Sequence, residues 1–273
     1  MAKLLTVAKN KTRRIVVYGP PKSGKTKLAG AMSERMNVLY FGLENGHNTL
    51  FQLPEEWQGR IELVAIPDSK YYPIAIETMM KVFKGDPCTV CEEHGKVNCP
   101  ICTKEGNPLV HIHLKGLDES WVVVMDSATQ LTASAIANIC KGKPEEYKMQ
   151  TDDWGTLGKH LDAVFSQVQA AKYNVVVLSH EIDIAEEKKP AQLVPLCGSK
   201  NFSRNFAKFF DDVVHCKVAN KKHAFGSSTG YSMSTLTGSR ENFSLEDSLE
   251  PKLLDFFYPA EAKVKPKVVV PTK

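Results

Sequence analysis

A chain of 273 residues with 42% apolar content is long enough to bury one large core or two modest ones. Its net charge of +4 permits nucleic-acid binding without demanding it. The sequence has no run of about eighteen apolar residues, which excludes a helical membrane span, and its charged start (Met1 to Lys9) excludes a secretory signal.

Residues 1–13 read as a basic, loosely ordered lead carrying Lys9, Lys11 and Arg13, with Arg14 opening the first strand. The short β-branched run Ile15-Val16-Val17-Tyr18 is followed by Gly19-Pro20-Pro21-Lys22-Ser23-Gly24-Lys25-Thr26 and then Lys27. A helical pattern begins with Leu28, Ala29 and Met32. Strand, glycine loop and helix in this order form a phosphate-binding P-loop, because the glycines let successive N–H groups turn inward at phosphate oxygens. Lys25 then supplies a point charge to the β- and γ-phosphates of ATP, and the Thr26 hydroxyl a ligand to Mg²⁺.

Asn37 to Glu44 is predicted as a second buried strand ending in a carboxylate, and Ile61 to Ile66 as a third, followed by a helix from Pro73 to about Phe83. Strands alternating with helices predict an α/β fold: a mostly parallel sheet flanked by helices. Residues 86–117 interrupt that rhythm with Cys88-Thr-Val-Cys91, seven residues, and Cys99-Pro-Ile-Cys102. Two Cys-x-x-Cys pairs bring four thiolates to one tetrahedral Zn²⁺, with His94, His111 and His113 near enough to replace one ligand. A four-thiolate site has no open position, so this zinc is expected to fold the insertion and perform no catalysis. What the insertion touches stays open on the residues alone, nucleic acid and a neighbouring subunit both being compatible. In a chain of seven cysteines, an odd count, with no export signal, the cluster favours reduced thiols and a cytoplasmic setting.

Trp121 to Met125 delivers Asp126 to a strand's C-terminal end, about a hundred residues after the P-loop, the Walker B arrangement that holds Mg²⁺ through water. A helix through Ala133–Ile139 and a polar stretch, Lys141 to Trp154, come next. Leu157, Leu161, Val164, Phe165 and Val168 then mark an amphipathic helix, and Asn174 to Glu181 another strand. Residues 183–204 are long, polar and without a pattern of their own, which is usual for a functional or disordered segment. Beyond them the chain is expected to be β-rich over Asp212–Val218 and Gly230–Thr235, with a last helix at Leu253–Phe256. The segment from residue 259 is a Lys/Pro/Val tail that cannot bury itself.

These motifs together resemble the RecA/KaiC branch of P-loop ATPases, and more narrowly the core-only RecA-like single-strand annealing ATPases of phages, the Sak group. The resemblance covers roughly Arg14 to Val218, with residues 14–258 as the ATPase core, 86–117 as an addition within it, and a C-terminal antiparallel extension. It implies that Glu44, ending Tyr40-Phe41-Gly42-Leu43-Glu44, orients the attacking water. Val122 to Thr132 is close to the family's Walker B and its continuation, and His180 stands where the family usually carries a γ-phosphate-sensing Gln. The resemblance further implies two mobile DNA-binding loops near Lys141–Trp154 and Asp183–Arg204, with Lys188, Lys189, Lys200 and Arg204 neutralising phosphates and Trp154 stacking on an unpaired base. A homo-oligomer, ring or filament, with ATP near the subunit interface is implied, as are partnership with single-stranded DNA, action beside a single-strand binding protein, and the cytoplasm of a bacterial host. Two other readings stay open on the residues alone: a P-loop kinase, against which the scarcity of arginine after Arg60 counts, and a nucleotide-gated scaffold acting through the zinc insertion.

Overall fold

The structure, a computed structural model, describes residues 12–66, 68, 73–91, 93–94, 96–186, 189–219, 222–227, 234–240, 245 and 252–258. The elements in chain order are β1 (Arg14–Tyr18), α1 (Lys25–Gly30), β2 (Asn37–Gly42), α2 (Glu55–Gln58), β3 (Ile61–Ala65), α3 (Ile74–Lys84), β4 (Cys88–Cys91), α4 (Pro100–Glu105), β5 (Leu109–Ile112), β6 (Trp121–Asp126) and α5 (Ala128–Ile139). There follow α6 (Thr151–Ala170), β7 (Asn174–Ser179), β8 (Glu181–Glu186), β9 (Lys189–Pro195), α7 (Lys200–Asn205), β10 (Asp212–Ala219), β11 (Lys222–Gly226) and β12 (Gly238–Ser239).

An eight-stranded sheet in the order β11-β10-β1-β7-β6-β2-β3, with β12 also on β10, forms the centre. The run from β10 to β3 is parallel throughout, and β11 and β12 add antiparallel strands at its end. This is the α/β sandwich expected from the alternating pattern, with the expected antiparallel extension. The central strands β1, β6 and β7 read as unbroken apolar runs because both faces are covered, whereas the edge strand β3 is largely exposed. On β6, Val123 and Met125 enter the core shared with α3, α5 and α6, while Val122 and Val124 enter the opposite core shared with α1. All six parallel strands carry their C-terminal ends to one edge, and β1 lies between β7 and β10, so the loop after β1 emerges at the middle of that edge.

Four expectations need correction. Arg13, placed at the end of a loose basic lead, is buried and grips the buried carboxylate of Asp212 with Nε and Nη2 at 2.9 and 2.8 Å. Arg14 donates to the carbonyl oxygens of Thr12 and Ala171. Both are structural cations; residues 1–11 lie outside the described residues, as does the tail from 259. The patternless stretch 183–204 is instead a two-stranded hairpin, β8 with β9, followed by α7, whose Ser199 cap accepts from the Phe202 N–H. Its alternation, Ile182 and Ile184 on one strand with Val194 opposite Ile182, is short and split by the turn, which hides it among the charges. Trp154 does not sit in a loop. The Gln150 and Asp153 side chains form a capping box that starts α6 at Thr151, and Lys143 pairs with Asp153 at 2.9 Å. The last predicted helix is a single 3-10 turn, Leu253–Phe256, closing the second core. Most of the predicted Gly230–Thr235 strand lies outside the described residues. Among those described, no helix is long and apolar enough to cross a membrane.

Candidate functional site

The loop between β1 and α1 turns where it must. Gly19 passes so close to β10 that an added Cβ would stand 2.1 Å from the Cys216 carbonyl oxygen, and Gly24 takes φ +92° as it caps α1. Only glycine fits the first without displacing backbone, and the second lies in the left-handed region. Lys22 is also held left-handed, at φ 63°, with its side chain exposed beside Pro21. Ser23 is buried, and Lys27 is exposed in the first turn of the helix. The Lys25 ammonium is buried and donates to the carbonyl oxygens of Gly19 and Pro20, both at 2.8 Å. Burial pushes its pKa below the usual lysine value; Asp126, Glu44 and Glu181 oppose that shift. A phosphate would offer the same cation a stronger acceptor than those carbonyls.

Thr26 donates its hydroxyl to Asp126 Oδ2 at 2.9 Å, and the Tyr40 hydroxyl donates to the same oxygen at 2.6 Å. Burial raises the Asp126 carboxyl; the Tyr40 hydrogen bond works against it. The Thr26 hydroxyl and the Asp126 carboxylate form one hydrogen-bonded pair of oxygen donors, the hard ligand type Mg²⁺ takes, so the pair fits the ion with Thr26 as direct ligand and Asp126 acting through water. Parallel pairing of β2 and β6 sets Gly42 opposite Asp126, which brings Glu44 to the same edge. One Glu44 oxygen accepts the Ser127 hydroxyl, and the other lies 3.8 Å from His180 Nε2. His180 follows β7, where its backbone N–H donates to the Thr129 hydroxyl at 2.9 Å. Glu44, His180, Thr129, Gln130 and Asp68 face one recess of about 340 Å³. Lys25, Thr26, Asp126, Glu44 and His180, separated by up to 155 positions in sequence, therefore meet at one edge of the sheet. A cation, a pair of oxygen groups suited to a metal ion, and a carboxylate beside a polar recess can hold a triphosphate and orient a nucleophile.

The insertion departs from its predicted ligand set. Cys91, His94, Cys99 and Cys102 bring one donor atom each within 4.8 Å of one another, and Cys88 is not among them. On a strand, residues three apart face opposite sides. Cys88 therefore enters the main core with Val90 and Ile112, while Cys91 faces away toward the other two cysteines. Burial pushes the Cys88 thiol up, which keeps it protonated. Cys99 caps α4, and the N–H groups of Cys102 and Ile101 hold its thiol below the usual value. His111 lies exposed on β5, opposite Thr89.

Of the residues expected at DNA, Trp154 is 43% exposed in the first turn of α6, and Lys200 and Arg204 are exposed four apart on α7. Between α6 and α7 runs an open groove of about 710 Å³ lined by Trp154, Lys159, Asp162, Asn201, Asn205 and Lys208, with the Lys208 ammonium 3.4 Å from the Asp162 carboxylate. Lys189 falls on β9, and Lys188 lies outside the described residues. Sequence reasoning missed Tyr40, Ser127, Asp68 and His223. His223, on β11, places Nδ1 3.0 Å from the Ser23 carbonyl oxygen and lies over Gly24. The 200 positions between His223 and Ser23 gave no local signal.

Residues 11–244 match a family model described as an AAA domain. No curated protein matches the chain. Among solved structures, it is similar to a prototypical ATPase from the type III secretion system of pathogenic bacteria, at 12% identity and TM-score 0.43, over 75% of this chain and 51% of that one. It is also similar to the ATP synthase subunit NeqB from Nanoarcheaum equitans, at 9% identity and TM-score 0.38, over 75% and 45%. The chain thus spans about half the length of these structures.

Proposed function

The chain belongs to the AAA domain family, and from that premise we propose that it hydrolyses ATP and uses the cycle to bind and release single-stranded DNA, promoting annealing or recombination as the Sak group of phage proteins does. The observation that carries the ATPase half is the meeting of Lys25, Thr26, Asp126 and Glu44 at one sheet edge. In this reading the loop from Gly19 to Lys27 cradles the phosphates, and Lys25 leaves the loop carbonyls for the β- and γ-phosphates. Thr26 directly, and Asp126 through water, would hold Mg²⁺, which would supply charge neutralisation at the phosphates. Glu44, steadied by the Ser127 hydroxyl, orients water in the recess, and His180 touches the terminal phosphate.

Because β8 begins directly after His180, loss of that phosphate reaches the β8–β9 hairpin without an intervening linker. The DNA half is supported by the groove between α6 and α7. An exposed indole, the Lys159 ammonium and two asparagine amides suit a strand that stacks bases and carries phosphates, while Lys208 would have to exchange its Asp162 partner for a phosphate. Lys200 and Arg204 extend the basic surface along α7. Assembly as a ring or filament, with a single-strand binding protein nearby, completes the reading.

The test is ATP turnover with and without single-stranded DNA, for the native chain, Lys25→Ala and Glu44→Gln. Turnover that is stimulated by DNA and lost in both variants is expected. Turnover indifferent to DNA, with no DNA retained at moderate salt, refutes the DNA half. A second reading rests on the recess itself. Asp68, Gln130 and Glu44 line the space beside the terminal phosphate and suit a hydroxyl-bearing acceptor, as in a kinase. Transfer of labelled γ-phosphate to a nucleoside or sugar would establish it in place of hydrolysis.

A further inference from the structure

We propose that Cys91, His94, Cys99 and Cys102 hold one structural zinc ion, with Cys88 excluded from the site. The donors converge from three places: the end of β4, the turn after it, and the start of α4. His94 Nδ1 lies 3.0 Å from Cys102 Sγ and 4.0 Å from Cys99 Sγ. Ligands about 2.0–2.3 Å from a tetrahedral zinc stand roughly 3.5–3.8 Å apart, so these separations straddle the required edge. Thiolate with one imidazole is a donor set that suits zinc over magnesium or calcium.

Two further observations point the same way. The sulfur atoms are surrounded by N–H donors: the Lys96 backbone to Cys91 at 3.3 Å and the Asn107 amide to Cys102 at 3.8 Å. The same Asn107 amide is held by Glu93 at 2.7 Å, so the outer contacts form a connected set of the kind that orients metal ligands. Among its described residues, the tip of the insertion also has no apolar core of its own. Its buried cluster consists of Cys91, Cys99 and Cys102, with Leu109 packed against them. Two four-residue strands and a six-residue helix cannot fold on that area without a staple. Zinc supplies it, and with four protein ligands there is no place for a reacting water.

Cys88 has a different task. With Val90 and Ile112 it roots the insertion in the main core against α3, so the root is held by packing and the tip by metal.

The experiment is metal analysis of the purified full chain and of Cys88→Ala, His94→Ala and Cys99→Ser, followed by zinc competition with a chromophoric chelator and by the visible spectrum of the Co²⁺-loaded protein. One equivalent of zinc is expected in the native chain and in Cys88→Ala, with the same three-thiolate cobalt spectrum in both. In His94→Ala and Cys99→Ser the affinity should fall by about 100-fold or more, beyond the 10–100-fold typical of losing an outer contact. The proposal fails if zinc is absent from the native chain. It fails equally if Cys88→Ala loses zinc while His94→Ala keeps it, which would restore the four-cysteine set. Lys25→Ala should bind zinc normally, so failure of the ATPase reading leaves this result standing.

Discussion

Replacing Glu44 with glutamine tests the catalytic reading at its narrowest point. The amide has nearly the shape of the carboxylate, and its oxygen still accepts the Ser127 hydroxyl. The Lys25 to Gly19 and Pro20 contacts and the Thr26 to Asp126 contact do not involve Glu44, so the cradle is left intact. What disappears is the negative charge that draws a proton from water beside the terminal phosphate. A positioned general base contributes about 10²–10⁴ in rate, equivalent to roughly 3–5.5 kcal/mol of barrier at 25 °C. The expected result in steady-state phosphate release is therefore a fall in kcat of about 10²–10⁴. A fluorescent ATP analogue should bind within about threefold of native, since uniform binding is untouched. A kcat within tenfold of native refutes the role given to Glu44. Loss of nucleotide binding with no selective effect on kcat refutes the geometry, because it makes Glu44 part of the cradle.

Asp212→Ala leaves the buried Arg13 guanidinium its contacts with Phe256 but removes its carboxylate partner, and breaking such a pair costs about 3–5 kcal/mol. Thermal unfolding should drop by roughly 6–20 °C for a domain of this size, and a drop under about 2 °C would show the pair to be dispensable. Tyr40→Phe removes the hydrogen bond that opposes the burial-raised Asp126 pKa, so that carboxyl should rise further. Magnesium needs the ionised form. Nucleotide binding should therefore be lost on acidification at a higher pH in the variant than in the native chain, and a limb that stays or moves lower refutes the assignment. His223→Ala removes one hydrogen bond to the P-loop backbone, worth about 0.5–1.5 kcal/mol. KM for ATP should rise about 2–12-fold with kcat nearly unchanged; a fall in kcat alone would place His223 in the chemistry instead. Trp154→Ala should weaken single-stranded DNA by about 1–3 kcal/mol without altering DNA-free turnover, and unchanged DNA affinity would remove the groove from the DNA reading.

How much of this was legible depended on how far apart the partners lie along the chain. The P-loop was readable because its parts, from Ile15 to Met32, are consecutive, and the glycine spacing alone dictates the turn. Asp126 was readable for a similar reason: four apolar residues deliver it to a strand end. The β8–β9 hairpin was not, since its alternation spans only a few positions on either side of a charged turn and resembles a loop until the two strands pair. Arg13 looked like a solvated cation because its partner, Asp212, is 199 residues away, and only β1 beside β10 brings them together.

The cysteines show the division most plainly. Sequence alone determined that this chain carries a P-loop, a strand-end aspartate and a thiol cluster in an insertion, because each is set by spacing over a few residues. Tertiary structure decided that β4 runs as a strand through Cys88, which turns that thiol into the core and leaves the fourth position to His94. It also decided that Glu44 meets Ser127 and that His223 reaches the P-loop. Local spacing constrains where a side chain starts, whereas the order and register of the strands determine what lies opposite it.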